Sequence, residues 1–270
     1  MENKPIIISH SNLDLFEFNK VVTEWHIDFK QLGGGSFLCS IDHVIYPEFQ
    51  LARVWFNSRV KQEGRSPKGY WSFAFPNDSG VYWRNFKVSP QSLVIYAPGS
   101  EINSVSAAGF EPMLFSIEEN IFLKLVNQEN SEVMMHKLRS GVLLTTGNVW
   151  ENLRNQIMTG IDQYKNNPNY DGKAYFLGIF TSSLIELIKI SKPSTKKISS
   201  KNRLQLLVDA EDFIQKNIRE QISASDIDTK CDVSKRTLLY AFKNRFDMGP
   251  KSSFKILKLN YIYEILHKVT

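Results

Sequence analysis

Ser223-Ala-Ser-Asp-Ile-Asp-Thr-Lys-Cys-Asp-Val-Ser-Lys-Arg-Thr-Leu-Leu-Tyr-Ala-Phe242 contains two helix starts separated by a tight turn. Ser223 followed by Asp226 has the form of a capping box, in which hydroxyl and carboxylate each satisfy a backbone amide of the other residue. That first helix ends near Cys231-Asp232-Val233. Ser234 then caps a second helix, which Thr237, Leu238, Ala241 and Phe242 continue. A short helix, a turn around a buried Val233 and a Ser-capped second helix make a helix-turn-helix. In that geometry the start of the second helix enters a DNA major groove, with Lys235, Arg236, Leu239 and Tyr240 on its outward face. Arg236 suits a bidentate contact to guanine N7 and O6, and Lys235 a base or a phosphate. Lys243, Asn244 and the amides at the Ser234 end suit phosphates. The alternative reading is a basic amphipathic hairpin whose lysines are merely solvated.

Working outward, charge separates this segment from the rest. The 270 residues carry a formal net charge of +5. Residues 1–195 hold 18 Lys/Arg against 19 Asp/Glu, whereas residues 196–270 hold 15 against 9. A basic terminal unit on a neutral body points to a polyanionic partner, nucleic acid first and an anionic surface second. Just upstream, Leu204–Ile218 reads as a helix with Leu204, Leu207, Val208, Phe213, Ile214 and Ile218 inward. Before it, Ser191-Lys-Pro-Ser-Thr-Lys-Lys-Ile-Ser-Ser200 is poor in apolar residues and reads as a linker.

The first half is strand-like. Alternation runs through Leu51–Val60, Tyr70–Phe75 and Ser92–Tyr96, with turn residues at Gly33-Gly34-Gly35, Glu63–Pro67 and Pro98-Gly99. Many short strands at this spacing predict a sandwich, jelly roll or barrel up to about residue 118. Beyond it the period becomes helical. Ile121, Leu123 and Leu125 open a short helix, and positions 149, 150, 153, 157 and 161 form one apolar face. Tyr175–Ile190 carries a wide stripe of Phe176, Ile179, Phe180, Leu184, Leu187 and Ile188, which either covers the sheet or forms a dimer seam.

The stretch Ser223–Leu266 resembles the first half of an AraC/XylS-family DNA-binding domain. The matching residues are Val233-Ser-Lys-Arg-Thr-Leu238, Tyr240-Ala-Phe242, Phe246-Asp-Met-Gly-Pro250, Phe254, Leu257-Lys-Leu-Asn260 and Ile265-Leu266. The β-rich half, with Pro98-Gly99 before Glu101–Val105, is similar to that family's cupin-like regulatory domains, though less specifically. Asp232 and Asp247 stand where the family usually has glycine, and both positions are expected to need a left-handed backbone, which Asp tolerates at some strain. The family also carries a second helix-turn-helix after the linker helix, here Ser252–Lys268, and the sequence stops at Thr270 before such a motif. Either the sequence is a piece of a longer chain or this is a one-motif variant, and in the second case one reading head per chain implies weak specific affinity unless a dimer supplies the other.

Catalytic and metal readings find little support. His10, His26, His43, His136 and His267 show no ligand spacing, and the cupin pattern His-x-His followed by Glu and His is absent. Asp42-His43 lacks a nucleophile in an elbow motif. The glycine run lacks a following Lys-Ser/Thr, so it is a turn rather than a phosphate loop. Cys39 and Cys231 cannot build a disulfide framework. The Met1 end has too short an apolar run for a signal peptide, and no segment approaches a membrane span. The expectation is a cytoplasmic non-enzyme without metal or cofactor.

For an effector, the alternation in Leu51–Val60 puts Ala52, Val54, Phe56 and Val60 on one face and Arg53, Trp55 and Arg59 on the other. Unpaired arginines are costly to bury, so the latter face is assigned to solvent, a partner or an anionic ligand. Trp71, Phe73 and Phe75, with Trp83 after the next turn, form a neighbouring aromatic face. Arg53, Trp55, Arg59, Trp71, Phe73 and Trp83 are therefore the candidate pocket for an anionic or aromatic small molecule.

The sequence thus predicts an α+β chain. Residues 1–190 form a cupin-like sensing and dimerising domain, 191–201 a linker and 202–270 a helix-turn-helix domain. The expected function is effector-responsive, sequence-specific binding of double-stranded DNA, by a homodimer joined through the 175–190 helix. The alternative is a ligand-binding or scaffold protein whose basic end docks a protein or an anionic surface.

Overall fold

The computed structural model describes residues 4–22, 25–77, 80–83, 86–126, 131–145, 147–194, 201–220 and 222–269. The chain begins with β1 (Ile6–Leu13), α1 (Leu15–Val21), β2 (His26–Gln31), β3 (Cys39–Ile45) and β4 (Phe49–Phe56). It continues through β5 (Val60–Arg65), β6 (Tyr70–Phe75), β7 (Val81–Trp83), β8 (Phe86–Val88), β9 (Ser92–Tyr96), β10 (Glu101–Ser106) and β11 (Met113–Glu118). Then follow α2 (Glu119–Val126), α3 (Ser131–Ser140), β12 (Val142–Leu144), α4 (Val149–Asn166), α5 (Lys173–Tyr175), a π-helical turn (Phe176–Phe180), α6 (Thr181–Ile190) and β13 (Lys192–Pro193). Four helices close the chain: α7 (Lys201–Lys216), α8 (Ala224–Lys230), α9 (Lys235–Phe246) and α10 (Pro250–Val269).

The strands make two antiparallel sheets, one ordered β1-β3-β4-β11-β6-β9-β12-β13 and the other β2-β5-β10-β7-β8. The predicted run Leu51–Val60 is broken between them. Asn57 turns its side chain onto Leu38 N and Ser36 O, ending β4, and Val60 opens β5 in the opposite sheet. The small sheet is held close at Gly64, whose φ is +152° and where a Cβ would stand 1.9 Å from the His26 carbonyl oxygen. Only glycine permits β5 to approach β2 so nearly there.

The large sheet is buried on both faces. One face packs on the other sheet, and the second is covered by α2, α4 and α6. Strand β4 is accordingly buried at six of its eight positions, so apolar alternation could not identify the helix-covered side. Phe49 stacks 5.5 Å from Phe176, and Phe115 lies 4.7 Å from Phe180. Each such fully buried ring contributes about 1.5–3 kcal/mol of transfer free energy.

The expected stripe of residues 175–190 is spent in this core: Phe176, Phe180, Leu184, Leu187 and Ile188 have no exposure. Ile179 is instead 65 % exposed, because the π turn adds a residue and shifts the register. In α2 the inward residues are Phe122 and Val126, a correction to the Ile121, Leu123 and Leu125 pattern. In α7 Leu206, Leu207, Ala210 and Ile214 are buried while Val208 is exposed. The side chain of Leu204 lies outside the described residues. So do residues 195–200 of the expected linker, whose first part is ordered: Ser191 caps α6 and Lys192–Pro193 pair with β12.

Candidate functional site

The helix-turn-helix forms as its local chemistry dictates. Ser223 and Asp226 complete a capping box on α8, and the Ser234 side chain accepts from the Thr237 amide at the start of α9. The turn residue Asp232 has φ 50° and the C-cap Asp247 has φ 59°, so both glycine-like positions are left-handed. Val233 is half-buried rather than fully buried. Leu238, Ala241, Phe242, Arg245 and Phe246 hold α9 to the core. Ser234, Lys235, Arg236, Leu239, Tyr240 and Lys243 are exposed on its other side, and Asn244 is half-buried. All seven candidate DNA-contacting residues therefore sit on or beside one accessible ridge.

Behind α9 runs a seam with the small sheet. Lys61 Nζ of β5 lies 2.5 Å from Glu211 Oε1 of α7 and 2.8 Å from Glu63 Oε1. Arg245 donates to the backbone and side-chain oxygens of Asn103 on β10. Arg59 donates to the Phe246 carbonyl (2.6 Å) and pairs with Asp247 (3.1 Å). Asn260 of α10 clasps the edge of β2, donating to Gln31 O (2.8 Å) and accepting from Gln31 N (3.2 Å). Burial pushes the Glu211 carboxyl above the usual glutamate value despite Lys61. Burial likewise lowers the Arg245 guanidinium to about 10, against the pull of Glu211 and Glu63.

Between the two sheets lies a cavity of about 150 Å³, walled mainly by apolar side chains such as Phe29, Val54, Phe56, Val94 and Ile102. Of the six expected pocket residues, the structure brings only Trp83 to it. The reason is the two-sided burial of the large sheet. Trp71 and Phe73 face α2, where their rings meet Phe122 at 5.9 and 5.2 Å. Trp55 is half-buried and does not line the cavity, and Arg59 turns to the seam. Arg53 donates twice to Asp42 (3.1 and 2.6 Å) and approaches Asp162 of α4 at 3.4 Å, so its charge is already paired. Ala52, Val54 and Phe56, read as the opposite face, line the cavity instead.

Asp42 also accepts from Lys165 (2.5 Å) and Ser9 (2.6 Å). Burial raises its carboxyl, but hydrogen bonds from Lys165, Ser9 and Arg53 outweigh this and hold it below the usual aspartate value. His43, within β3, lines the cavity with its Nε2 3.1 Å from Gln50 Oε1. Sequence reading missed Lys61, Gln62, Asn103, Ser104 and Arg245. Only Arg245 carried a signal, as a cation spaced onto the apolar face of α9 with Leu238 and Phe242. Cys39 is a buried free thiol. No group of three or more His, Cys, Asp or Glu suited to a metal occurs among the described residues. Nor is any helix among them long and apolar enough to cross a membrane.

No protein-family model matches the sequence. Among solved structures, the AraC-like transcriptional activator CuxR shares the fold, with a TM-score of 0.50 at 14 % identity over 96 % of this chain and 95 % of that one. The α+β architecture, a β-rich first half followed by helices, is thus shared with that structure. ToxT from Vibrio cholerae O395, in complex with (E)-4-(8-methylnaphthalen-1-yl)but-3-enoic acid, gives a TM-score of 0.35 at 10 % identity, covering 83 % of this chain and 85 % of that one. An RmlC-like cupin from Shewanella frigidimarina NCIMB 400 gives 0.24 at 13 % identity over 35 % of this chain and 87 % of that one.

Proposed function

We propose that the chain is a non-enzymatic, sequence-specific DNA-binding transcription regulator of the AraC type, responsive to a small molecule held between the two sheets. The observation that carries this reading is α9. Its apolar face and Arg245 are locked into the protein, while Lys235, Arg236, Leu239, Tyr240 and Lys243 are left exposed on the ridge. Arg236, near the helix start, reads guanine, and Lys243 and Asn244 hold phosphates. The domain division at 190 and 202 belongs to the same proposal. So does a homodimer through the 175–190 helix, for which Ile179 and Ile190 remain exposed.

The test is fluorescence anisotropy with duplexes pooled from upstream regions, at several salt concentrations, for the wild type and Arg236→Ala. Binding that falls steeply with salt, favours certain fragments and loses that preference in the variant supports the reading. Absence of binding even at low salt overturns it in favour of a sensor or scaffold whose basic end docks elsewhere.

A further inference from the structure

The small sheet is a wall occupied on both faces. Its register places Phe29 opposite Gln62, Gln62 opposite Ser104 and Ser104 opposite Trp83. Cross-strand partners share a face, and this row lines the cavity. The next row, Lys30, Lys61, Val105 and Tyr82, points the other way. There Lys61 meets Glu211, and Val105 and Tyr82 join the apolar cluster of the C-terminal helices. Two residues from Val105 on β10, on that same face, Asn103 receives Arg245 of α9.

Resting on the reading of this cavity as the effector site, we infer that the effector is an uncharged, mostly apolar molecule whose single hydrogen-bonding group is received by Gln62 and Ser104. Among the described residues no Lys, Arg, Asp or Glu lines the cavity and the His43 ring is engaged with Gln50, so an ionised ligand group would meet no fixed counter-charge from them. Ser104 is 2 % exposed, and neither its hydroxyl nor the Gln62 carboxamide has a hydrogen-bond partner among the described residues. Both groups donate and accept, which suits a ligand hydroxyl or carbonyl. Because the same strands carry Lys61 and Asn103 on their reverse face, a group seated on Gln62 and Ser104 bears directly on how α7 and α9 dock. Occupancy thereby shifts the DNA-competent population.

The full chain is loaded with N-phenyl-1-naphthylamine, an uncharged fluorescent probe of apolar cavities, and titrated at neutral pH with decane, 1-decanol or decanoate. The expected result is displacement by 1-decanol at about a hundredfold lower concentration than by decanoate, since the carboxylate must be neutralised to enter. Gln62→Met and Ser104→Ala each weaken 1-decanol by about threefold to tenfold and leave decane unchanged. In the anisotropy assay, 1-decanol changes the DNA affinity of the wild type, and Gln62→Met needs an about threefold to tenfold higher concentration for the same change. Decanoate competing as well as 1-decanol, or 1-decanol binding unaltered in both variants, overturns the assigned ligand chemistry while leaving the cavity as the effector site. A wild-type DNA affinity indifferent to bound 1-decanol overturns the coupling. Failure of the probe and all three competitors to bind removes the cavity reading itself.

Discussion

Lys61 Nζ and Glu211 Oε1 stand 2.5 Å apart where β5 meets α7, joining the β-rich half of the chain to its helical end through a pair with little access to water. Such a pair is expensive to assemble and more expensive to halve, because the surviving charge keeps its burial and loses its partner.

Lys61→Met is therefore expected to destabilise the chain by about 3 kcal/mol, whereas Lys61→Met with Glu211→Leu recovers most of that loss. Urea unfolding in a double-mutant cycle measures both. The acid response has a definite sign. The Glu211 carboxyl is raised in the fold, so the docked state holds that proton more tightly than the unfolded chain. Its contribution is complete below the ordinary glutamate value and is lost as pH rises through the raised one. The penalty of Lys61→Met should accordingly shrink as pH falls from neutral; a pH-independent penalty contradicts the assignment.

Asp42 behaves oppositely. Its carboxyl is held below the usual aspartate value by Lys165, Ser9 and Arg53, so its stabilisation is present above that value and disappears as pH falls through the lowered one. Asp42→Asn leaves Arg53 and Lys165 without their shared anion and should cost about 3 kcal/mol at neutral pH. Acid titration of unfolding should then show a shallower loss for the variant than for the wild type.

Asp232 occupies a left-handed conformation with an exposed side chain. Asp232→Gly should relieve the strain and raise stability by about 0.5–1 kcal/mol, read from the urea midpoint. Asp247→Gly is a less clean test, since it also removes the Arg59 ion pair.

Lys243 sits on the exposed ridge of α9, displaced from the helix start that is proposed to reach base edges. Lys243→Ala should weaken all duplexes alike and lower the salt slope by about one, while fragment preference persists. A change of preference would move Lys243 among the base-reading residues.

How much was legible followed from the range of the forces involved. The α8–α9 unit is written in local chemistry: Ser223 with Asp226, Ser234 with Thr237, and two aspartates at left-handed turns all act within a few residues. Asp14 and Glu17 had the same capping spacing, and their box starts α1, an element the strand-based reading of that half passed over. The cavity was not legible. Strand β4 is apolar on both faces, so period-two alternation separated Arg53 from Val54 without telling which side met helices and which met the other sheet. Arg53 looked like a ligand group because its partner Asp42 lies on the neighbouring strand β3 and Asp162 on a distant helix.

The sequence by itself determined helix α9, its caps, its exposed basic ridge and the change from strands to helices near residue 118, because each depends on neighbours along the chain. Only the tertiary structure decided which face of the large sheet encloses a cavity, where each arginine finds its carboxylate, and that Gln62 and Ser104 back onto Lys61 and Asn103. Those are cross-strand and strand-to-helix relationships between residues far apart in the chain, set by sheet register and by what packs on each face.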